Sequence, residues 1–391
     1  MNNYILPTYN RIKLKFLHGK GSWLYTKHDR YLDFSSGIAV NCLGHSNKIL
    51  KNALQSQSNK LWHTSNLYTI SEQEKVAEQL CKLSFADKVF FCNSGAEATD
   101  GAIKIIRKYH YENGNKKKKK IIVFNNAFHG RTLTGILAGS NESHREGFLP
   151  HAKSTGGFVR VDYGSIEAID KAIDNNIAGI FFEPIQGEGG INVADVNYLK
   201  EVRRICNKYN ILLALDEVQC GIGRTGKLFA YQWSNIKPDL LTSAKGLGGG
   251  FPVGAVLMTN KVAKKMNFGS HGSTFGGNQL ACAVALAVIR EITKKNFLKK
   301  VQDYGFFLKE KLEVLKVNYP MIISSIKGKG LLSGIELKIP TDTFCKLARE
   351  KKLLLVPAAN NVVRILPPLN VKKNELKIAI SVIEECLKEV S

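Results

Sequence analysis

Short apolar runs alternate with stretches of helical periodicity through the middle of this chain. Val89–Cys92 reads as a buried strand, and after it Ala98, Ala102, Ile105 and Ile106 recur at the spacing of one helix face. Ile121–Phe124, Gly179–Phe182, Ile211–Leu215, Leu240–Leu241 and Val253–Met258 read as further strands. Before the fourth of these six strands, Tyr198, Leu199, Val202, Ile205, Cys206 and Tyr209 mark an amphipathic helix. Strand–helix–strand alternation of this kind predicts an α/β domain built on a mostly parallel sheet.

The two ends read differently. Gly21–Tyr25 and Tyr31–Phe34 form a small hairpin pattern. The last hundred residues predict a separate α+β unit. It comprises a helix over about 297–315, strands over 322–326 and 331–337, a helix over 343–351, strands over 353–356 and 362–365, and a closing helix. The expected organisation is therefore residues 1–45 packing with a small C-terminal domain of 286–391, around a large domain of 46–285.

Composition narrows the class without naming it. The 391 residues include 56 Lys+Arg against 33 Asp+Glu, a net charge of +23, with 44% hydrophobic and 23% charged residues. That is globular composition, which excludes a disordered or collagen-like chain. No apolar run reaches the roughly 18 residues of a membrane span, and the N-terminus lacks a cleavable-signal pattern, so the expectation is a cytoplasmic protein. The eight cysteines are scattered without a CxxC pair, which predicts no disulfide scaffold and no metal site. The basic excess would suit a nucleic-acid binder, but no aromatic-plus-basic recognition module is present. Its sharpest cluster, Lys116–Lys120, reads as a solvated loop.

Open α/β sheets bind ligands beyond the carboxyl ends of their strands, so the residues following each strand are the candidates. After Val89–Cys92 come Asn93, Ser94, Gly95, Ala96 and Glu97, then a helix; a turn with glycine at a helix N-terminus is an anion site, although Ser94 alone reads equally as an N-cap. After Ile121–Phe124 come Phe128, His129, Gly130 and Arg131, which suggest ring stacking and carboxylate recognition, although taken alone Phe128 also reads as ordinary core and Arg131 as a surface ion pair. After Gly179–Phe182 lie two carboxylates, Glu183 and Glu188, in a glycine-rich loop; they fit acid/base partners or loop-fixing acceptors equally well. Asp216 ends the next strand, where a buried acid needs a cation or a protonated ring nitrogen beside it. Lys245 precedes four glycines within five residues, a setting that desolvates an amine and lowers its pKa, as a Schiff-base lysine requires. Gly221-Ile222-Gly223-Arg224-Thr225-Gly226 matches a dinucleotide-binding pattern but lies mid-chain after Asp216-Glu217-Val218-Gln219, and no acidic residue caps a second strand about twenty residues on, so a nicotinamide-dependent oxidoreductase is not expected.

Taken together, Ser94-Gly95-Ala96-Glu97-Ala98, Phe128-His129-Gly130-Arg131-Thr132, Glu183-Pro184-Ile185-Gln186-Gly187-Glu188, Asp216-Glu217-Val218-Gln219, Ala244-Lys245-Gly246 and Ser273-Thr274-Phe275-Gly276-Gly277-Asn278 resemble the class III aminotransferases, which use pyridoxal 5'-phosphate. The resemblance covers essentially the whole chain. It implies a fold-type I transferase, aspartate-aminotransferase-like, with a seven-stranded large-domain sheet and a homodimer with shared active sites. By the same resemblance, Lys245 holds the cofactor and moves the proton, and Asp216 pairs with the ring nitrogen. Val218 and Phe128 pack on the two ring faces, Gln219 lies near the ring hydroxyl, and Glu217 belongs to the same cofactor-binding stretch. Ser94, Gly95 and Ala96 cradle the phosphate, with Thr274 reaching it from the neighbouring subunit. Arg131 grips a substrate carboxylate, Arg364 takes the second carboxylate of glutamate, and Glu188 masks Arg364 when the other substrate is bound.

Within that family the chain resembles the acetylornithine branch. Ile38 stands where ornithine-specific members carry a tyrosine for a free α-amino group, and an apolar wall suits an acylated amine better than a buried ammonium. Ser273 resembles a contact to the acylated substrate from across the dimer. Members acting on 4-aminobutyrate, N-succinyl-diaminopimelate or succinylornithine remain alternatives, and an aminomutase of the same fold has no evident use for the Arg/Glu switch. Three departures, Thr99-Asp100, Gln279 and the Ala359-Asn360 turn, bear on fine substrate preference.

Overall fold

The computed structural model describes residues 4–149 and 155–391. Its centre is a seven-stranded sheet in the spatial order Lys88–Cys92, Gly254–Met258, Leu240–Ser243, Leu212–Asp216, Ile177–Phe182, Lys120–Phe124 and Phe158–Val161. Only Gly254–Met258 runs against its neighbours. The central strands Ile177–Phe182 and Leu212–Asp216 are buried at every position, the signature of a parallel sheet covered on both faces. One face is covered by the helix Gly95–Glu112, which buries Ala98, Ala102, Ile105 and Ile106 as the periodicity predicts.

The edge strand Phe158–Val161 is absent from the sequence reading. It is four residues long and carries Arg160, whose guanidinium turns to the carbonyls of Leu137 and Gly139. A short edge strand with a charged residue lacks the continuous apolar run that marks a buried one.

The C-terminal elements form a second sheet in the order Ile323–Lys329, Leu332–Leu337, Val362–Ile365, Val356–Ala358, backed by the helices Phe297–Asn318 and Thr341–Glu350, on which the helix Lys373–Glu389 packs. The single strand expected over 353–356 is divided between two sheets. Leu353–Leu354 joins Arg30–Asp33 in parallel, while Val356–Ala358 pairs with Val362–Ile365. The N-terminal hairpin thereby becomes a four-stranded sheet closed by a C-terminal strand, and Glu375 accepts hydrogen bonds from Ser22 and Trp23 at the same place. The helix Gln279–Ile292 runs unbroken through position 285, the expected domain boundary.

Seven of the eight cysteines are buried, Cys81 is half-buried, and all are free. No helix among the described residues is long and apolar enough to cross a membrane. In the lysine tract, Lys118 donates to the carbonyls of Tyr209 and Asn210, Lys120 pairs with Asp174, and Lys116 lies over the Tyr111 ring.

Candidate active site

The carboxyl ends of the parallel strands open on a cavity of about 450 Å³. Ser94, Gly95, Ala96, Phe128, Arg131, Glu188, Asp216, Val218, Gln219 and Lys245 all line it, although they are dispersed over more than 150 residues of sequence. An adjoining hollow of about 570 Å³ is lined by Ile38, Phe128, Glu188 and Arg364.

Asp216 is the last residue of a fully buried strand. One carboxylate oxygen, Oδ1, accepts from the Val218 backbone N–H at 3.0 Å and the Thr242 hydroxyl at 3.2 Å. The other, Oδ2, lies 2.7 Å from His129 Nδ1. The sequence reading gave His129 no role of its own. Its signal was present, because a buried acid needs a partner and His129 is the titratable residue of the neighbouring loop.

Glu183 is a loop-fixing acceptor. Its two oxygens take the N–H groups of Phe128 at 3.0 Å and Gly187 at 3.1 Å, which ties the loop carrying Arg131 to the loop carrying Glu188. Burial raises its pKa to about 7, with Asp216 adding to the rise and His129 opposing it. Glu217 does not reach the cavity. Its carboxylate turns the opposite way and accepts from the backbone N–H groups of Ala230 and Tyr231, so the structure gives it an architectural role. Burial raises its pKa to about 8.

Lys245 opens the single turn after the strand Leu240–Ser243 and holds a left-handed φ of 45°. Burial lowers its pKa to about 8, the nearby Arg364 pushes the same way, and Glu183, Asp216 and Glu188 offset part of the effect. An amine in this state is available as a nucleophile and base near neutral pH.

The anion end is the N-terminus of Gly95–Glu112. Ser94 caps it by accepting from the Glu97 N–H at 3.2 Å, so the structural reading of Ser94 holds while the residue also faces the cavity. Two glycines permit the close approach. A Cβ on Gly95 would lie 2.7 Å from Val218 Cγ1, and one on Gly130, at φ 112°, would lie 2.8 Å from Ala96 Cβ.

Arg364 is buried and donates to the Pro357 carbonyl at 2.9 Å and to Gln219 Oε1 at 3.4 Å, leaving Nε without a partner. No ion pair joins it to Glu188 in this structure, although both line the same hollow. Arg131 is exposed at the mouth, with its guanidinium carbon 5.8 Å from the Phe128 ring centre. Ser273 and Thr274 are not brought to this cavity by their own chain. Ser273 Oγ accepts from Asn93 Nδ2 at 3.2 Å, and Thr274 is exposed.

The family model for class III aminotransferases matches residues 4–387. The chain belongs to the class III aminotransferases. It is 47% identical over 389 residues to an acetylornithine aminotransferase of Bradyrhizobium diazoefficiens, covering 99% of this chain and 95% of that protein. Among solved structures, the ornithine aminotransferase of Toxoplasma gondii superposes with a TM-score of 0.93 at 32% identity, covering 99% and 92% of the two chains. The N-acetylornithine aminotransferase of Stenotrophomonas maltophilia superposes with a TM-score of 0.85 at 33% identity, covering 98% and 97%.

This aminotransferase is a pyridoxal-phosphate-dependent transaminase. The cavity fits that cofactor on its own chemistry. It presents a helix N-terminus cleared by two glycines, a buried carboxylate held by three donors, an amine with lowered pKa, and an aromatic ring with a β-branched side chain to flank a planar group. The GxGxxG-like stretch, Gly221–Gly226, opens no helix; it is a turn whose Arg224 is buried.

Proposed function

We propose that the chain transfers the δ-amino group of N2-acetyl-L-ornithine to 2-oxoglutarate, reversibly, giving N-acetyl-L-glutamate 5-semialdehyde and L-glutamate. This is a step of arginine biosynthesis, placed in the cytoplasm. The observation that carries the substrate reading is Ile38. It lines the hollow shared with Glu188 and Arg364, offers no hydroxyl there, and is held at a left-handed φ of 61° within a run of four such residues from Ser36 to Ala39. A β-branched residue in that conformation is strained. Asp33 anchors the run by accepting from the Ser35 and Ser36 N–H groups and from the Ser35 hydroxyl, with His45 on its other oxygen.

Bound pyridoxal phosphate supplies an aldehyde and an electron-withdrawing ring. In this reading Ser94, Gly95 and Ala96 hold its phosphate, Phe128 and Val218 flank the ring, Gln219 meets its hydroxyl, and Asp216 keeps a proton at its nitrogen. Lys245 would hold the cofactor through Nζ, and as a neutral amine it would move the proton at the substrate carbon. Arg131 orients a substrate carboxylate. Arg364 receives the second carboxylate of glutamate, and Glu188 swings to Arg364 when the acylated amine is bound.

The same reading makes the enzyme a homodimer. Trp62, Leu67, Tyr68 and Phe275 are exposed beside Ser273 and Thr274, an apolar face suited to a second copy. That copy would bring its Thr274 to the phosphate and its Ser273 to the acyl group.

The test compares amino donors on the purified holoenzyme. N2-acetylornithine is expected to bleach the cofactor's visible band far faster than ornithine or 4-aminobutyrate. A lead by 4-aminobutyrate or by N-succinyl-diaminopimelate would reassign the substrate. Glu188→Ala is expected to slow the acetylornithine half-reaction and spare that of glutamate; an unchanged preference would remove the switch.

A further inference from the structure

Arg224 is among the largest fully buried side chains of the described residues, at 2% exposure, and no carboxylate lies within ion-pair distance of it among them. A buried cation without an anion is expensive, and donors directed at backbone carbonyls offset part of that cost. Its Nη1 donates to two backbone carbonyls, those of Leu331 (at 3.2 Å) and Pro367, while its buried Nη2 meets no partner among the described residues. Its own carbonyl accepts from the Leu331 N–H at 3.0 Å.

The placement of those carbonyls is the informative point. Leu332–Leu337 and Val362–Ile365 are antiparallel neighbours, with Ser333 opposite Ile365 and Gly334 opposite Arg364. Extending that register by two residues places Leu331 opposite Pro367. The guanidinium therefore bridges the strand pair just past the end of its ladder, three residues beyond Arg364. Arg224 itself lies on the turn that follows Asp216 and Gln219, both at the cofactor cavity. The adjoining turn is packed to the same unit: a Cβ on Gly223 would sit 3.1 Å from Leu298 and Leu369, and the Gly226 carbonyl accepts from Gln302 Nε2.

We propose that Arg224 is a positioning residue that sets Arg364 relative to the cofactor cavity, and thereby tunes recognition of the dicarboxylate substrate. This rests on the role assigned to Arg364 above. A buried guanidinium directed at two carbonyls holds the strand pair that carries Arg364 in register with the turn that carries Asp216. Loss of that bridge frees Arg364 to shift, and displacements near 1 Å in a binding group reach roughly a hundredfold in rate.

The test measures KM for 2-oxoglutarate, KM for the amino donor and kcat on the holoenzyme. Three variants, Arg364→Ala, Arg224→Lys and Arg224→Met, are compared singly, and the Arg224 changes are repeated in the Arg364→Ala background. The expected result is an increase of about tenfold or more in KM for 2-oxoglutarate in the Arg224 variants. The donor KM should stay within about twofold, and no further increase should follow once Arg364 is already removed, because residues acting through one another are non-additive. Gln302→Leu, which removes the neighbouring contact to Gly226, is expected to leave the 2-oxoglutarate KM unchanged; an equal rise there would make the effect general loosening and overturn the proposal. Equal rises in both KM values, or full additivity with Arg364→Ala, would overturn it as well. If Arg364→Ala leaves the dicarboxylate KM unmoved, the reading of Arg364 fails and the proposal fails with it. If Arg224→Met does not fold, Arg224→Lys alone decides between these outcomes, since it keeps the charge while its side chain, one bond shorter, draws the donor back from the two carbonyls that Nη1 meets.

Discussion

His129 Nδ1 and Asp216 Oδ2 lie 2.7 Å apart, with both side chains sealed from solvent at the floor of the cavity. His129 holds one carboxylate oxygen while Val218 and Thr242 hold the other, so the Asp216 carboxylate is fixed in one orientation. Asp216→Asn is expected to lower kcat by roughly 10²–10³-fold through loss of the anion at the ring nitrogen. His129→Ala, which removes only the orienting partner, is expected to cost about 10–100-fold. Steady-state rates of both variants against wild type check the ordering; a His129→Ala enzyme as impaired as Asp216→Asn would place His129 in the chemistry itself.

Lys245 provides a pH prediction. Its folded pKa is lowered from 10.5 to about 8 by burial. The neutral amine is the reactive form, so covalent capture of the cofactor aldehyde by cofactor-free protein should accelerate as pH rises, with a midpoint near 8. Between about 8 and 10.5 the unfolded chain keeps a proton that the folded chain has shed, so this residue makes folding stability rise with pH across that window. Urea midpoints of cofactor-free wild type and Lys245→Met should converge or diverge accordingly, with the wild type gaining relative to the variant on going from pH 8 to pH 10. A pH-independent difference would contradict the assigned shift.

The glycines at the phosphate end offer a steric prediction. Gly95→Ala places a methyl 2.7 Å from Val218 Cγ1, and something must move. Overpacking of this kind costs about 1–3 kcal/mol, here spent on the residue that flanks the ring. Cofactor affinity measured by absorbance titration should fall by about tenfold or more for Gly95→Ala. Gly114→Ala has open space but a φ of 79°, so it should affect stability modestly and cofactor affinity not at all.

The apolar face around Phe275 predicts the assembly state. His63 and Phe275 rings pack 5.1 Å apart at its centre, beside exposed Trp62. Phe275→Glu would place a charge in a desolvated contact and is expected to yield a monomer with little activity, as read by sedimentation velocity at micromolar concentration. A fully active dimeric variant would move the interface elsewhere.

Much of the site was legible in the sequence because its parts are local. Asp216 ends a buried strand and Phe128 and Lys245 follow others, and such strands are continuous apolar runs that announce their own ends. What the linear chain left open depends on side-chain direction and distant partners. Glu217 follows Asp216 by one residue, and in extended backbone successive side chains face opposite ways, so one carboxylate enters the cavity and the other turns to Ala230 and Tyr231. Leu353–Leu354 and Val356–Ala358 form one apolar run in sequence, but two sheets compete for it and each takes half. Arg224 has the composition of a surface turn, and only the docking of Leu331 and Pro367 against it makes it a buried bridge. Thus the local pattern of apolar runs and turn residues determined the elements and the chemistry at their ends. The tertiary structure alone decided which way each charge faces and which carbonyl or carboxylate meets it, because partners such as His129 with Asp216 and Arg224 with Leu331 lie more than eighty positions apart.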